Sequence, residues 1–77
     1  MSSIEQFEEI KLLMQFNLES MTIGIKVHAQ QAPKETIDAA ARLFNKGLTD
    51  HVDGGYLTQR GIEAATNAQG LMKLLSD

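Results

Sequence analysis

The sequence predicts a small α+β domain of three helices and a small antiparallel sheet, in the order α-β-α-β-β-α. Three observations lead there. Apolar residues recur at helical spacing in three stretches, near residues 4–16, 33–46 and 59–75. Between the first two, Ile23, Ile25 and Val27 alternate with Gly24, Lys26 and His28, the period of a strand. Between the last two, Asp53-Gly54 stands as a strong hairpin signal.

Helix 1 is read over about residues 4–16, with Ser3 as N-cap and Glu5 in the first turn, where the helix dipole favours negative charge. Its inward stripe is Ile4, Phe7, Ile10, Leu13 and Met14. Glu5, Glu8 and Glu9 are read as a solvated face, and Leu12 and Phe16 fall on that face as an i, i+4 pair. Asn17 is suited to the left-handed conformation that ends helices. Residues 29–32 are a linker, since Pro33 disfavours helix before it and suits a first turn after it.

Helix 2 runs from about Pro33 to Lys46 with Ile37, Ala40, Ala41 and Phe44 inward, and Gly47-Leu48 closes it. Residues 48–52 and 55–57 form the hairpin, whose turn residues are Asp53, Gly54 and Gly55, and His51 is expected opposite Tyr56. Thr58 caps helix 3, which covers about 59–75 and turns Ala65, Ala68, Leu71, Met72 and Leu75 inward. Gly61 and Gly70 each cost that helix about 1 kcal/mol relative to Ala. Residues 1–77 form a single domain without repeats.

Two motifs resemble those of a winged-helix domain. Leu43-Phe-Asn-Lys-Gly-Leu48 is similar to the L-x-x-x-G-L that closes a recognition helix. Tyr56-Leu-Thr-Gln-Arg-Gly61 is similar to the Y-x-L-T-x-x-G that leaves the wing, with one residue fewer between Tyr and Leu. A helix-turn-helix needs two helices between its first strand and the hairpin, and residues 29–47 hold one. The fold is therefore winged-helix-like without a full helix-turn-helix. Across the whole chain, Phe16-Asn-Leu, Gly24-Ile-Lys-Val-His28, Ala32-Pro, Arg42-Leu-Phe and Asp53-Gly-Gly-Tyr-Leu-Thr58 resemble a family of short, functionally uncharacterised bacterial proteins. Its members have carried labels such as DNA-binding or DNA-binding-inhibitor-related, and the resemblance implies no catalytic residues.

Composition narrows the chemistry. Cysteine is absent, which removes disulfides, thiolate zinc sites and thiol nucleophiles, and favours a reducing cytoplasm. No apolar run approaches a membrane span, and the N-terminus is acidic where a signal peptide is basic. His28 and His51, the only imidazoles, lack ligand spacing on a helix even with Asp50 and Asp53 nearby, so no metal is expected. No Ser–His–Asp arrangement is readable, no cofactor motif occurs, and an enzyme is not expected.

Charge argues in the same direction. The net charge is −3, against a strongly electrostatic nucleic-acid binder. Lys34, Arg42 and Lys46 on helix 2, with Arg60, are the residues placed for phosphate contact, but Asp38 interrupts the row and intrahelical pairing is the simpler expectation. Leu12, Phe16 and Leu74 fall outside the expected core and are assigned to self-association as a homodimer. The leading expectation is a non-enzymatic cytoplasmic interaction or regulatory module with an unidentified protein partner. The alternative is a weak winged-helix-type DNA-binding transcriptional regulator.

Overall fold

The computed structural model describes residues 3–20 and 22–76. The elements are α1 (Ser3–Leu13), β1 (Ile25–Lys26), α2 (Lys34–Asn45), β2 (Thr49–His51), β3 (Gly54–Leu57) and α3 (Gln59–Leu75). This is the α+β order that the periodicities predict. The three strands form one antiparallel sheet in the order β1-β3-β2, with Ile25 opposite Gly55 and Lys26 opposite Gly54. One helix lies between β1 and the hairpin, and residues 29–32 form a turn.

The three helices meet at small residues. Leu12 and Leu13 of α1, Ala39, Ala40 and Leu43 of α2, and Ala65 of α3 make the core, with Ile25, Val27, Leu48 and Leu57 packed against it from the sheet side. Alanines at the crossings let the helix axes come close, so few large side chains are needed to fill the centre.

The facing of α1 differs from the sequence expectation. Leu12 and Phe16, assigned to self-association, are buried (2% and 4% exposed), whereas Ile4 is 72% exposed and Phe7 and Met14 are also exposed. The buried set is Glu9, Leu12, Leu13 and Phe16, which is i, i+3, i+4, i+7 spacing. A glutamate in that set disguised the stripe, because a carboxylate is normally the mark of the outer face. The helix also ends sooner than expected, at Leu13. Asn17 keeps a negative φ, and its side-chain Oδ1 accepts from the Glu19 amide instead. Ser3, expected as the N-cap, is instead the first helical residue of α1, and the residues before it are outside the described ones.

In α2 the inward residues are Ala39, Ala40 and Leu43, a slight rotation from the expected stripe that leaves Phe44 exposed. Its C-terminus closes as the sequence predicts. Gly47, at φ 78°, donates to the Phe44 carbonyl, and Leu48 donates to the Leu43 carbonyl. Those two bonds are the Schellman pattern, which satisfies carbonyls that a helix end otherwise leaves bare.

The hairpin turns one residue earlier than Asp53-Gly54 suggested. Its turn residues are Val52 and Asp53, His51 pairs with Gly54 rather than Tyr56, and the register shifts between Thr49 and His51. A type I′ turn over Asp53-Gly54 needs positive φ at both, yet the positive values fall on Gly54 (120°) and Gly55 (74°). Two adjacent glycines thus move the irregularity into β3 as a bulge. The Asp50 carboxylate accepts from the Tyr56 amide at 2.8 Å, supplying an acceptor where the ladder is disturbed.

Helix α3 begins against the end of α2. Thr58 donates from its hydroxyl to the Gly47 carbonyl, and that same oxygen accepts from the Gly61 amide at 3.1 Å. Gly61 is buried there: a Cβ on it would stand 1.8 Å from the Leu48 carbonyl oxygen. Further along, Gln69 donates to the carbonyls of Leu13 and Phe16 at 3.1 and 2.8 Å, covering the exposed end of α1. Ala65 and Ala68 face inward as expected, but Leu71 and Leu75 are exposed.

The two helical glycines should therefore respond oppositely to alanine. Gly61→Ala forces backbone against backbone and should destabilise the domain by about 3 kcal/mol. Gly70 has nothing within 4 Å of a Cβ position, so Gly70→Ala should stabilise by about 0.5–1 kcal/mol. Urea denaturation midpoints of the two variants check this pair.

Candidate interaction surface

The polar centre of the molecule is Glu9. It is 6% exposed, and its carboxylate accepts from Arg42 Nε at 3.0 Å and from Lys46 Nζ. Arg42 and Lys46 are one turn apart on α2, so both cations reach the same carboxylate of α1. Arg42 also donates from Nη2 to the Glu5 carbonyl at 3.1 Å. Burial alone pushes the Glu9 carboxyl up, and the hydrogen bonds and charges of Lys46 and Arg42 outweigh it, holding the group below its ordinary 4.5. Among the described residues no buried side-chain nitrogen or oxygen lacks a partner.

This arrangement bears on the residues placed for phosphate contact. Arg42 and Lys46 are turned toward Glu9 with partly covered side chains. Lys34 pairs with Asp38 at 3.7 Å, the intrahelical contact that the sequence suggested. Arg60 stands exposed at the start of α3, beside a shallow hollow lined by Leu48, Glu63, Ala64 and Asn67. The four cations do not assemble into one outward row.

The hairpin carries a smaller cluster. His51 Nδ1 lies 2.7 Å from Asp50 Oδ1, and Lys26 Nζ lies 3.0 Å from Asp53 Oδ2 across the sheet. The Asp50 carboxyl is held below its ordinary value by the Tyr56 amide and then by His51, and that of Asp53 by the Lys26 hydrogen bond. His28 lies in the turn after β1, lining an open cleft of about 340 Å³ with Lys26, Gln30, Gln31 and Asp53. Among the described residues no three His, Asp or Glu side chains form a group able to hold a metal ion.

Several large apolar residues are also exposed. On α1, Ile4 and Phe7 face outward, with the Lys11 ammonium 5.2 Å from the Phe7 ring centre. Ile4 also borders a cleft of about 150 Å³ between α1 and α2, lined by Glu5, Glu8, Glu35, Asp38 and Arg42. On α3, Leu71, Leu74 (83% exposed) and Leu75 gather in the last two turns. Of the residues assigned to self-association, Leu74 alone is outward. Ile4 and Phe7 were missed because each fits the inward stripe of α1 when Glu9 is placed outside, and Leu71 and Leu75 because each fits the inward stripe of α3 with Ala65, Ala68 and Met72. The available signal was Arg42 and Lys46, two cations at i, i+4 that could match one buried carboxylate.

The Glu9 ion pairs give a pH dependence with a definite sign. A carboxyl held low in the folded chain contributes fully above its ordinary value near 4.5 and loses that contribution as pH falls through the lower folded value. Glu9→Gln should destabilise the domain by about 2 kcal/mol at pH 7, the scale of charged hydrogen bonds. The gap between wild type and variant should shrink as the pH is lowered to about 3. Chemical denaturation across that range measures it.

No helix among the described residues is long and apolar enough to cross a membrane. No curated protein and no solved structure matches the chain. A family model described as a family of unknown function, DUF5669, matches residues 1–76, and the chain belongs to that family.

Proposed function

We propose that the protein is a non-enzymatic interaction module that docks another protein chain on its exposed apolar surface. The observation that carries this reading is the division of its side chains. Ile4, Phe7, Leu71, Leu74 and Leu75 stand outward, while the cations best placed to meet phosphate are drawn to Glu9. Clustered exposed apolar residues mark contact surfaces more often than isolated ones do. The absence of cysteine fits a reducing cytoplasm as its location.

A second reading, a weak DNA-binding regulator, draws on one observation. The corner where α2 runs through Gly47 into the hairpin and on to α3 is similar to the approach of a recognition helix to its wing. Against it stand the net charge of −3 and the inward cations.

One experiment separates the readings. Immobilised wild-type protein should retain a protein from native lysate, and Phe7→Glu or Leu74→Glu should lose it while keeping helical circular dichroism. Fluorescence anisotropy with mixed duplex DNA near physiological salt should show no binding at low micromolar protein. Tight, salt-sensitive DNA binding that Lys34→Ala and Arg60→Ala weaken would favour the regulator instead.

A further inference from the structure

The sheet leaves the outer edge of β1 open. Its order is β1-β3-β2, so β1 and β2 both stand at a margin. The register of β2 shifts between Thr49 and His51, and an irregularity of that kind turns an edge away from further pairing. The pairing of β1 is regular, with Ile25 opposite Gly55 and Lys26 opposite Gly54. Antiparallel ladders alternate between residues that bond across and residues that turn their groups away. The Val27 amide donates to the Asp53 carbonyl at 2.8 Å, so Ile25 and Val27 bond toward β3 and Lys26 turns its N–H and C=O outward.

Space accompanies that edge. Two clefts, of about 340 and 240 Å³, share Lys26, Val27, His28 and Gln31. The second extends to Leu12 of α1, to Gln15 just beyond it, and to Thr36 in the first turn of α2. Among the described residues, none of β2 or β3 lines either cleft, so the space opens on the side of β1 away from its partner strand. Its floor is apolar, because Leu12 belongs to the core and Val27 packs against it.

We infer that this edge takes up an extended segment of another protein as an added strand, held by the Lys26 main chain and the clefts beside it. In that mode of binding, main-chain hydrogen bonds supply attachment and the spaces for alternate side chains supply selection. The site is separate from the exposed apolar residues of α1 and α3, and so gives the module a second contact. A residue placed opposite Lys26 shares its face of the sheet. On the other side of Lys26 stands Gly54, which has no side chain, and the ammonium pairs with Asp53 at 3.0 Å in an exposed contact of little strength. A carboxylate on the segment therefore meets a cation that exchanges partners readily. The residues before and after that carboxylate turn to the other face, over Val27 and Leu12, which suits apolar side chains. The occupant is thus an extended segment reading apolar, acidic, apolar. A second copy of the chain suits the edge poorly. Two-fold pairing about Lys26 sets two ammonium groups opposite each other, and each chain carries a net −3. The strand is two residues long, so few bonds form and the affinity is modest.

Random peptides about ten residues long, enough for one strand, displayed on phage and panned against the immobilised full chain supply the probe. The best-bound peptide, labelled with fluorescein, should show a dissociation constant below about 100 µM. Backbone amide shifts should move in residues 25–28, and hydrogen exchange of the Lys26 amide should slow. Lys26→Pro removes the outward N–H and spares the bonds to β3, and it should weaken the peptide by at least about tenfold. Lys26→Gln keeps the main chain and should weaken it by less than about threefold. Gln15→Arg fills the cleft from an exposed position and should weaken binding as well, which keeps the test decisive where proline disturbs the fold. Phe7→Glu and Leu74→Glu, which alter the apolar docking surface, should leave peptide binding unchanged. Failure to select a peptide of that strength, a peptide that binds as a helix, or binding that survives both Lys26→Pro and Gln15→Arg overturns the added strand. Shifts confined to Ile4 and Phe7 or to residues 71–75 overturn it too, and leave the apolar surface standing as the docking site. A chain that doubles in mass by light scattering, and loses this in Lys26→Pro, overturns it in favour of a second copy.

Discussion

A buried carboxylate between two helices fixes how this molecule is put together. Glu9 sits on the inner side of α1, where an ion without partners would be strongly unfavourable. Its burial is tolerable because Arg42 and Lys46 converge on it from α2, and because both cations keep enough exposure to remain partly hydrated. That requirement sets the rotation of α1 about its own axis. With Glu9 inward, Leu12, Leu13 and Phe16 enter the core on the same face, and Ile4 and Phe7 are left outside. The same pairing occupies the two cations of α2 best placed for an external phosphate.

A second constraint holds the other half. The C-terminus of α2, the hairpin and the start of α3 are joined by short-range bonds: Leu48 to the Leu43 carbonyl, Thr58 to Gly47 and Leu48, and Gly61 to Thr58. Gly61 allows α3 to touch the Leu48 backbone, which a side chain there would prevent. The sequence motifs of this corner, residues 43–48 and 56–61, are those that resemble a recognition helix and its wing. Yet only one helix separates β1 from the hairpin, and its Arg42 and Lys46 serve the interior. The likeness is of motifs, and such a likeness alone carries no activity.

Much of this was legible in the sequence, for local reasons. Gly47-Leu48 announced the end of α2 and Thr58 the start of α3, because capping depends on the few residues present there. The alternation at Ile25 and Val27 announced β1. Facing was harder to read. Sorting residues into polar and apolar sets puts every glutamate outside, so Glu9 turned the expected stripe of α1 away from Leu12 and Phe16. Its partners lie 33 and 37 positions away, beyond the reach of any window. The turn was misplaced for a related reason: Asp53-Gly54 is a strong local signal, but Gly54 and Gly55 both take positive φ, and the Ile25 backbone lies where a Cβ on Gly54 would stand. Gly61 looked like a weakness within a helix until Leu48 was found beside it.

The central claim, that Glu9 is energetically tied to α2, is tested most directly by a double-mutant cycle. Glu9→Gln, Arg42→Gln and the double variant would each be unfolded with urea at pH 7 and compared with wild type. The account predicts a coupling of about 1–2 kcal/mol, so that the second substitution removes much less stability once the first is present. Additive losses, agreeing within about 0.3 kcal/mol, would contradict it and show that α1 takes its orientation from apolar packing alone.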